Sequence, residues 1–418
     1  MLKNNDRELA RICILYLLWK RKKNKTKQRR RFWVREIFQE RDLHGQFKTT
    51  FLSLKATDRE YFFRYSRMSP ERFDHLLSLI QHLLEKKTTK LRKPISAEER
   101  LIITLRYLAT GDQQSSQSFN FLVGRSTVCK IIRETCQAIW SVLQPLYMAM
   151  PHTSDHWKNI AQAYEDTWNF PHVIGAIDGK HINIECPKFG GSMYYNYKQF
   201  HSSVLLALCD ARYAFTYVNI GSYGGMNDAS IFNRSKLYEE LQNGTFPLPV
   251  PENSRPYFIL GDDIFPLKPW LMKPYSGKDL SFKSRVFNYR LRRTIENSFG
   301  ILAARWRIFR RPIRADISTV DDIIKATLCL QNYLIKTENA RYSPSGFVDC
   351  YDGGELKEGE WRNVVEGDNG MGALQANRAN NYSFDAKMIR DNLREYVNSL
   401  DGSVAWQNET VSYCGRKT

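Results

Sequence analysis

A chain of 418 residues that is 42% hydrophobic and 25% charged can bury a sizeable core and fill roughly two to three domains. Its formal net charge of +18 makes polyanions the partners to consider, nucleic acid first and an acidic membrane surface second. The longest early apolar run, Ile12 to Trp19, is too short to cross a bilayer and no cleavable signal follows it, so a soluble intracellular protein is expected. The eight scattered cysteines lack C-x-x-C spacing and read as reduced thiols, not zinc ligands.

Lys20 to Arg31, KRKKNKTKQRRR, has no apolar residue to pack and is expected to be a solvated arm: a nuclear localisation signal, a phosphate-binding tail or a plain charge run. Ser69, Pro70 and Glu71 then give a cap, a first-turn proline and an early acid ahead of Phe73, Leu76, Leu77, Ile80, Leu83 and Leu84 at helical spacing. Further helices are predicted from about Glu98 to Ala109, over Gln114 to Asn120, and from a Ser126 cap onward with Val128, Ile131, Ile132 and Ile139 inward. These three have helix-turn-helix spacing, leaving Arg125, Ser126, Thr127, Lys130 and Arg133 where phosphates or base edges would lie. Many bundles that never touch DNA share that spacing. Met150 to Asn169 reads as a polar connection with aromatic anchors at Trp157, Tyr164 and Trp168.

Beyond it the apolar period changes from 3.6 to 2. HVIGAIDGKHINIE, His172 to Glu185, is a buried strand interrupted by Asp178. Burying an ionised carboxylate costs several kcal/mol unless a cation or hydrogen bonds compensate. Two more strands, Ser203 to Cys209 and Ala214 to Gly221, join through Asp210, Ala211 and Arg212 as a hairpin. A helix opens at Asp228, its candidate cap, and PYFILGDDIFPL supplies a fourth strand ending at Gly261, Asp262 and Asp263. Tyr289 to Arg307 reads as a long helix with Leu291, Ile295, Phe299, Leu302 and Trp306 as its apolar stripe and Glu296 beside it.

That order predicts an α/β domain of RNase H-like type, a mixed sheet flanked by helices, preceded by an all-α helix-turn-helix domain. Asp178, Asp262 and Glu296 would then converge as catalytic metal ligands. Phosphodiester cleavage needs an activated oxygen, a stabilised leaving oxygen and relief of phosphate charge, which two Mg²⁺ ions about 4 Å apart supply, with Mn²⁺ as a substitute. Each acid has a plainer reading: a strand hydrogen-bonder, a strand-end cap, and, for Glu296, an ion pair with Arg292. Asp263 points away from Asp262 if the strand persists and is left out. Lys180 and His181, next to the first acid, are expected to contact the scissile strand or to be ordinary edge polarity.

IGAIDGKHI around Asp178, YYNYKQFHSSVLLALCDARYAFTYVNIGSYG, ILGDDIFPLKPWLMKPY around Asp262 and FNYRLRRTIENSFGILAARWRIFRRPI around Glu296 together resemble the PIF/Harbinger transposases and Harbinger-derived nucleases of the DDE endonuclease superfamily. FRYSRMSPERFDHLL and RYLATGDQQSSQSFNFLVGRSTVCKIIRETC before them, and IRDNLREYVNSL after them, extend the resemblance over nearly the whole chain. It implies that the three acids are the catalytic triad, that RYLATG through ETC is the DNA-contacting region, and that transposon ends are cut by hydrolysis and their 3′-hydroxyls joined to target DNA. It further implies double-stranded DNA as substrate, a Myb-like or trihelix DNA-binding partner protein, a synaptic homodimer, no membrane, and a nuclear location that depends on the partner. The alternative is a domesticated, non-cleaving DNA- or chromatin-binding scaffold for that partner.

The expected organisation is a basic arm and lead-in over 1–60, helices over 61–150, a connection over 151–170, the catalytic domain over 171–340, an acidic Gly-rich linker over 341–380 and a C-terminal helix and tail over 381–418. In the last part, Asp385 to Leu400 places Ile389, Leu393, Tyr396, Val397 and Leu400 on one helical face.

Overall fold

The computed structural model describes residues 2–23, 34–88, 94–226, 228–251, 255–277, 279–338, 340–352, 355–373, 382–405 and 407, with backbone alone at 2–7, 21–23, 228–229, 292–293, 350–352 and 355–356. The first helix, α1 (Leu2–Lys23), carries the start of the expected solvated arm as helix; residues 24–31 of that arm lie outside the described residues. No helix of the described residues is long and apolar enough to cross a membrane.

The lead-in is packed, not loose. After α2 (Glu36–Gln39) and α3 (Arg41–His44), α4 (Leu52–Thr57) and α5 (Arg59–Ser66) gather aromatic rings: Phe51 lies 5.6 Å from Phe62 and 5.1 Å from Phe73. α6 (Pro70–Leu84) starts as expected, with Ser69 Oγ accepting the Arg72 N–H at 3.4 Å. α7 (Ala97–Thr110) buries Leu101, Ile102, Leu105 and Leu108, and α8 (Gln114–Asn120) follows. α9 (Arg125–Tyr147) begins one residue before Ser126; Gly124 takes the cap position, so Ser126 sits inside the first turn and does not cap.

The expected polar connection is largely a helix, α10 (Ser154–Trp168), capped by Thr153. Its apolar stripe is carried by Trp157, Ile160, Ala161, Tyr164 and Trp168, so polar residues between the aromatics masked a helical period. Trp157 and Tyr164 are buried, and the Tyr164 hydroxyl donates to the Cys209 carbonyl at 3.0 Å.

The sheet holds β1 (Val173–Asn183), β2 (Ser202–Cys209), β3 (Phe215–Tyr223), β4 (Phe258–Gly261) and β5 (Leu271–Met272) in the order β3-β2-β1-β4-β5. The first three run antiparallel and β4 runs parallel to β1, the mixed layout expected. Asp210 Oδ1 closes the β2–β3 hairpin by accepting the Arg212 and Ala214 N–H groups, both at 2.9 Å. Gly175 lets β1 lie close to β2: a Cβ there would come within 2.7 Å of the Leu208 side chain.

Two short helices, α11 (Asp228–Asn233) and α12 (Lys236–Gln242), bury Ile231, Leu237 and Leu241 as expected. α13 (Phe282–Arg305) starts earlier than its stripe suggests, capped by Ser281, and all five residues of the expected stripe are buried. α14 (Ile317–Glu338), not anticipated, packs against α9 and β3 and ties the helical region to the sheet: Ser69 N–H reaches Glu338 at 2.6 Å and His75 Nδ1 meets the Tyr333 hydroxyl at 2.9 Å. One hydrophobic core consequently runs from Phe47 to Val397.

The segment expected to be a linker is folded where it is described. After the hairpin β6 (Cys350–Asp352) and β7 (Glu355–Lys357), α15 (Trp361–Val365) seats Trp361 over Gly300 of α13, and its indole N–H donates to Asn297 Oδ1 at 3.0 Å. Asp349 is buried and accepts from Arg362 at 2.8 Å and from the Gly359 N–H at 2.7 Å. β8 (Met371–Ala373) then adds antiparallel to β1. Acidic composition suggested solvation, but Asp349 is partnered and the tryptophan supplies the anchor. Residues 374–381 lie outside the described residues.

α16 (Phe384–Val397) buries Leu393 and Val397, whereas Leu400 lies beyond the helix end and is exposed. Arg290 of α13 binds this end to the rest by donating to the carbonyls of Trp168 at 2.5 Å, Asn169 at 2.8 Å and Gly402 at 2.6 Å. Arg290→Ala strands buried carbonyls and removes a filled volume, so the chain is expected to lose about 3 kcal/mol or more in denaturant melts. A loss below about 1 kcal/mol would contradict that role.

Candidate active site

β1 carries the first acid into a nearly dry setting. Val173, Ile174, Ala176 and Ile177 are fully buried, and Asp178 is 5% exposed. Its Oδ1 accepts the Gly179 N–H at 2.7 Å, and its Oδ2 takes the Lys180 ammonium at 2.8 Å. Burial, reinforced by the charge of Asp262, pushes the Asp178 carboxyl above its usual range, although Lys180 and the Gly179 N–H pull the other way.

Strand register supplies the second acid. Ile177 pairs with Gly261 in the parallel β1–β4 ladder, so Asp262, just past the end of β4, comes alongside Asp178. β4 covers one edge of β1 from Val173 to Ile177, and β8 covers that same edge from Lys180 to Ile182. Asp178 and Gly179 face the gap between them.

Glu296 is exposed on α13 and lines, with Lys180, a cavity of about 350 Å³. Arg310, Trp361, Arg362 and Asp368 also line it, Arg310 lying 3.4 Å from Asp368. Lys180, two residues beyond Asp178 and hence on the same strand face, joins the three acids. Burial alone would push its amine down, but Asp178, Glu296 and Asp262 together hold it above its ordinary value. Three carboxylates from β1, the end of β4 and α13 therefore act on one ammonium.

Among the described residues no three His, Cys, Asp or Glu side chains stand as a ready metal cluster. The donor set nevertheless fits a hard divalent cation: oxygen ligands only, an acid pair strained by mutual charge, and a positive group now at their centre. Asp178, Asp262 and Glu296 are the residues that would hold it.

Other expected site residues fall elsewhere. His181 points to the opposite face of β1 from Asp178, fully buried, with Nδ1 2.9 Å from Ser202 Oγ and its ring against Tyr197 and Phe200. Burial, aided by the Lys198 charge, pushes it down to about 4. It is a core residue there, not a strand contact. Arg125, Ser126, Lys130 and Arg133 are exposed along the first turns of α9 and Thr127 is half-buried, with Arg133 3.6 Å from Asp322 of α14. They form a face separate from the acids. The Asp263 carbonyl accepts from Lys273 at 3.0 Å, and the expected Glu296–Arg292 pair lies outside the described residues because the Arg292 side chain is not described. Arg310, Trp361 and Arg362 were missed; an isolated Trp-Arg pair inside a glycine-rich acidic stretch was the available signal.

Residues 177–332 match the family model described as DDE superfamily endonuclease, a span that contains all three acids. Residues 177–332 are thus similar to a DDE superfamily endonuclease domain. Much of its length is also similar to plant and animal proteins of Harbinger-derived type. It is 27% identical over 306 residues to the ALP1-like protein of Arabidopsis thaliana, covering 68% of this chain and 73% of that one. It is 26% identical over 324 residues to the Arabidopsis thaliana protein named Antagonist of Like Heterochromatin Protein 1, covering 71% and 80%. HARBI1 of Xenopus laevis, named as a candidate nuclease, is 23% identical over 201 residues, covering 48% of this chain and 55% of that protein. No solved structure matches. The matched span begins beside Asp178 and ends in α14, while Trp361, Arg362 and β8, which line the cavity or flank it, lie outside that span.

Proposed function

We propose that this chain is a divalent-metal-dependent DNA endonuclease that cuts transposon ends and joins their 3′-hydroxyls to target DNA. The observation that supports the reading is the buried Asp178–Lys180 pair at 2.8 Å, with Asp262 brought alongside by the β1–β4 register and Glu296 lining the same cavity as Lys180. Asp178, Asp262 and Glu296 would hold the divalent cation, which would supply Lewis acidity for phosphodiester cleavage. Asp178 is held in place by the Gly179 N–H, which its Oδ1 accepts at 2.7 Å. Lys180, 2.8 Å from Asp178 Oδ2 and on the same strand face, is the residue here that would contact a phosphate at this site. Arg310 and Arg362 line the cavity beside Glu296, each paired with a carboxylate, Asp368 and Asp349 respectively. The exposed start of α9 is the proposed DNA-contacting surface of the helix-turn-helix region. A Myb-like or trihelix partner, a homodimer and a nuclear location belong to the same reading.

A second reading, a non-cleaving DNA or chromatin scaffold, is favoured by one observation: Lys180 already neutralises Asp178. Metal binding separates the two. A cleaving enzyme gains stability from Mg²⁺ or Mn²⁺ by about 2.7 kcal/mol at a hundred-fold excess over Kd. Thermal melting with increasing metal is expected to rise in the wild type and stay flat in Asp262→Asn. A wild type insensitive to both metals would favour the scaffold.

A further inference from the structure

Outside the acid centre, a concentration of positive charge lies where the helical region meets the end of α13. Arg67 forms the cap of α5 with a left-handed backbone, φ 68°, a position that glycine fills at least cost. An arginine there stands against backbone preference. Arg106 of α7 donates to the Tyr65 carbonyl at 3.0 Å and lies 4.1 Å over the Tyr65 ring, which fixes its fork beside Arg67. Arg305, on the last turn of α13, is stacked 4.0 Å over Phe347 and 5.4 Å over Tyr342. Arg307 is exposed, and its carbonyl would lie 2.7 Å from a Cβ on Gly111, so this turn rests directly on the end of α7.

Arg67 feels the other three guanidinium groups, and Arg106 feels Arg307. Burial and the charges of Arg307, Arg305 and Arg106 push Arg67 down to about 10. The acids in range are Asp112, beside Arg106, and exposed Glu360, beside Arg305. Among the described residues neither Arg67 Nε nor Arg305 Nε has a hydrogen-bond acceptor. Arg307 also acts on Arg310, which lines the cavity beside Glu296 and pairs there with Asp368 at 3.4 Å. Planar guanidinium forks match phosphate oxygens in pairs, which compact ammonium groups do not.

We propose that Arg67, Arg106, Arg305 and Arg307 form a phosphate-binding seam that grips the backbone of duplex DNA away from the three acids. The proposal rests on the nucleic-acid reading above but not on cleavage. Neutralising phosphate also explains why mutually repelling arginines are held together at a domain seam instead of being dispersed.

The test uses the full chain in EDTA, so that no metal chemistry enters. Binding of a fluorescent duplex is measured across a salt series for wild type, Arg67→Gln and Arg307→Gln, alongside thermal melting of each protein with and without inorganic pyrophosphate. The seam predicts affinity reduced about five- to ten-fold in each variant and a salt slope shallower by about 0.9 for each phosphate no longer neutralised. It also predicts that Arg67→Gln melts no lower than wild type without ligand, since a repelled charge has been removed. Unchanged affinity and slope in both variants would overturn the seam, as would a lower melting temperature in Arg67→Gln, the mark of a structural arginine. Pyrophosphate stabilising the wild type alone, with duplex affinity equal in all three proteins, would assign the site to a free anion and overturn the DNA seam. A wild type that fails to bind duplex would overturn the nucleic-acid reading itself.

Discussion

Asp178→Asn and Glu296→Gln will each lower metal-dependent cleavage of duplex DNA by roughly 10³-fold or more, yet only the first will weaken the fold. Glu296 is exposed, and glutamine keeps its shape. Asp178 is buried against Lys180, so the asparagine leaves a buried ammonium short of its nearest counter-charge. Breaking such a pair from one side costs about 3–5 kcal/mol, softened here by Asp262 and Glu296. Denaturant melts of both variants beside cleavage assays separate the two effects. Equal stability of the two variants would show that Lys180 does not depend on Asp178.

Trp361→Ala is expected to cost about 3–5 kcal/mol, the range for truncating a large buried aromatic, and to reduce cleavage as well. Trp361 is 8% exposed, packs so closely on α13 that a Cβ on Gly300 would overlap its ring, and holds Asn297 by its indole N–H. Asn297 follows Glu296 directly on α13, and Gly300 lies one turn beyond it. Releasing the tryptophan frees the wall of the cavity that Glu296 faces. Limited proteolysis between Phe347 and Ala373 reports the release directly, and a variant as resistant as wild type would count against the anchor.

How much of this was readable beforehand follows from which physical signals are local. Strand periodicity around Asp178 and the long stripe from Leu291 to Trp306 are local patterns, and both elements are present, although α13 begins at Phe282, ahead of its stripe. The hairpin at Asp210 likewise carries its own turn chemistry. Bringing Asp262 beside Asp178 needed only a parallel β1–β4 register, which the strand order implies. What local pattern could not show was non-local: β8 pairs with β1 across nearly 200 positions, and nothing in MGA predicts a strand. α10 was obscured because its stripe is built from aromatics spaced among charges. His181 illustrates a different failure, since adjacency to Lys180 in sequence places it on the opposite face of the strand from both Lys180 and Asp178. The ion pair to Lys180, by contrast, was implicit in the two-residue spacing.

The most direct measurement is nicking of a labelled duplex carrying transposon terminal repeats, in Mg²⁺ and with a Myb-like partner present, by wild type and Glu296→Gln. Cleavage by the wild type is expected to disappear in Glu296→Gln and in EDTA, with DNA binding retained by both proteins. Binding without cutting by either protein, in Mg²⁺ and in Mn²⁺ alike, would contradict a two-metal nuclease and leave the scaffold as the function of this fold.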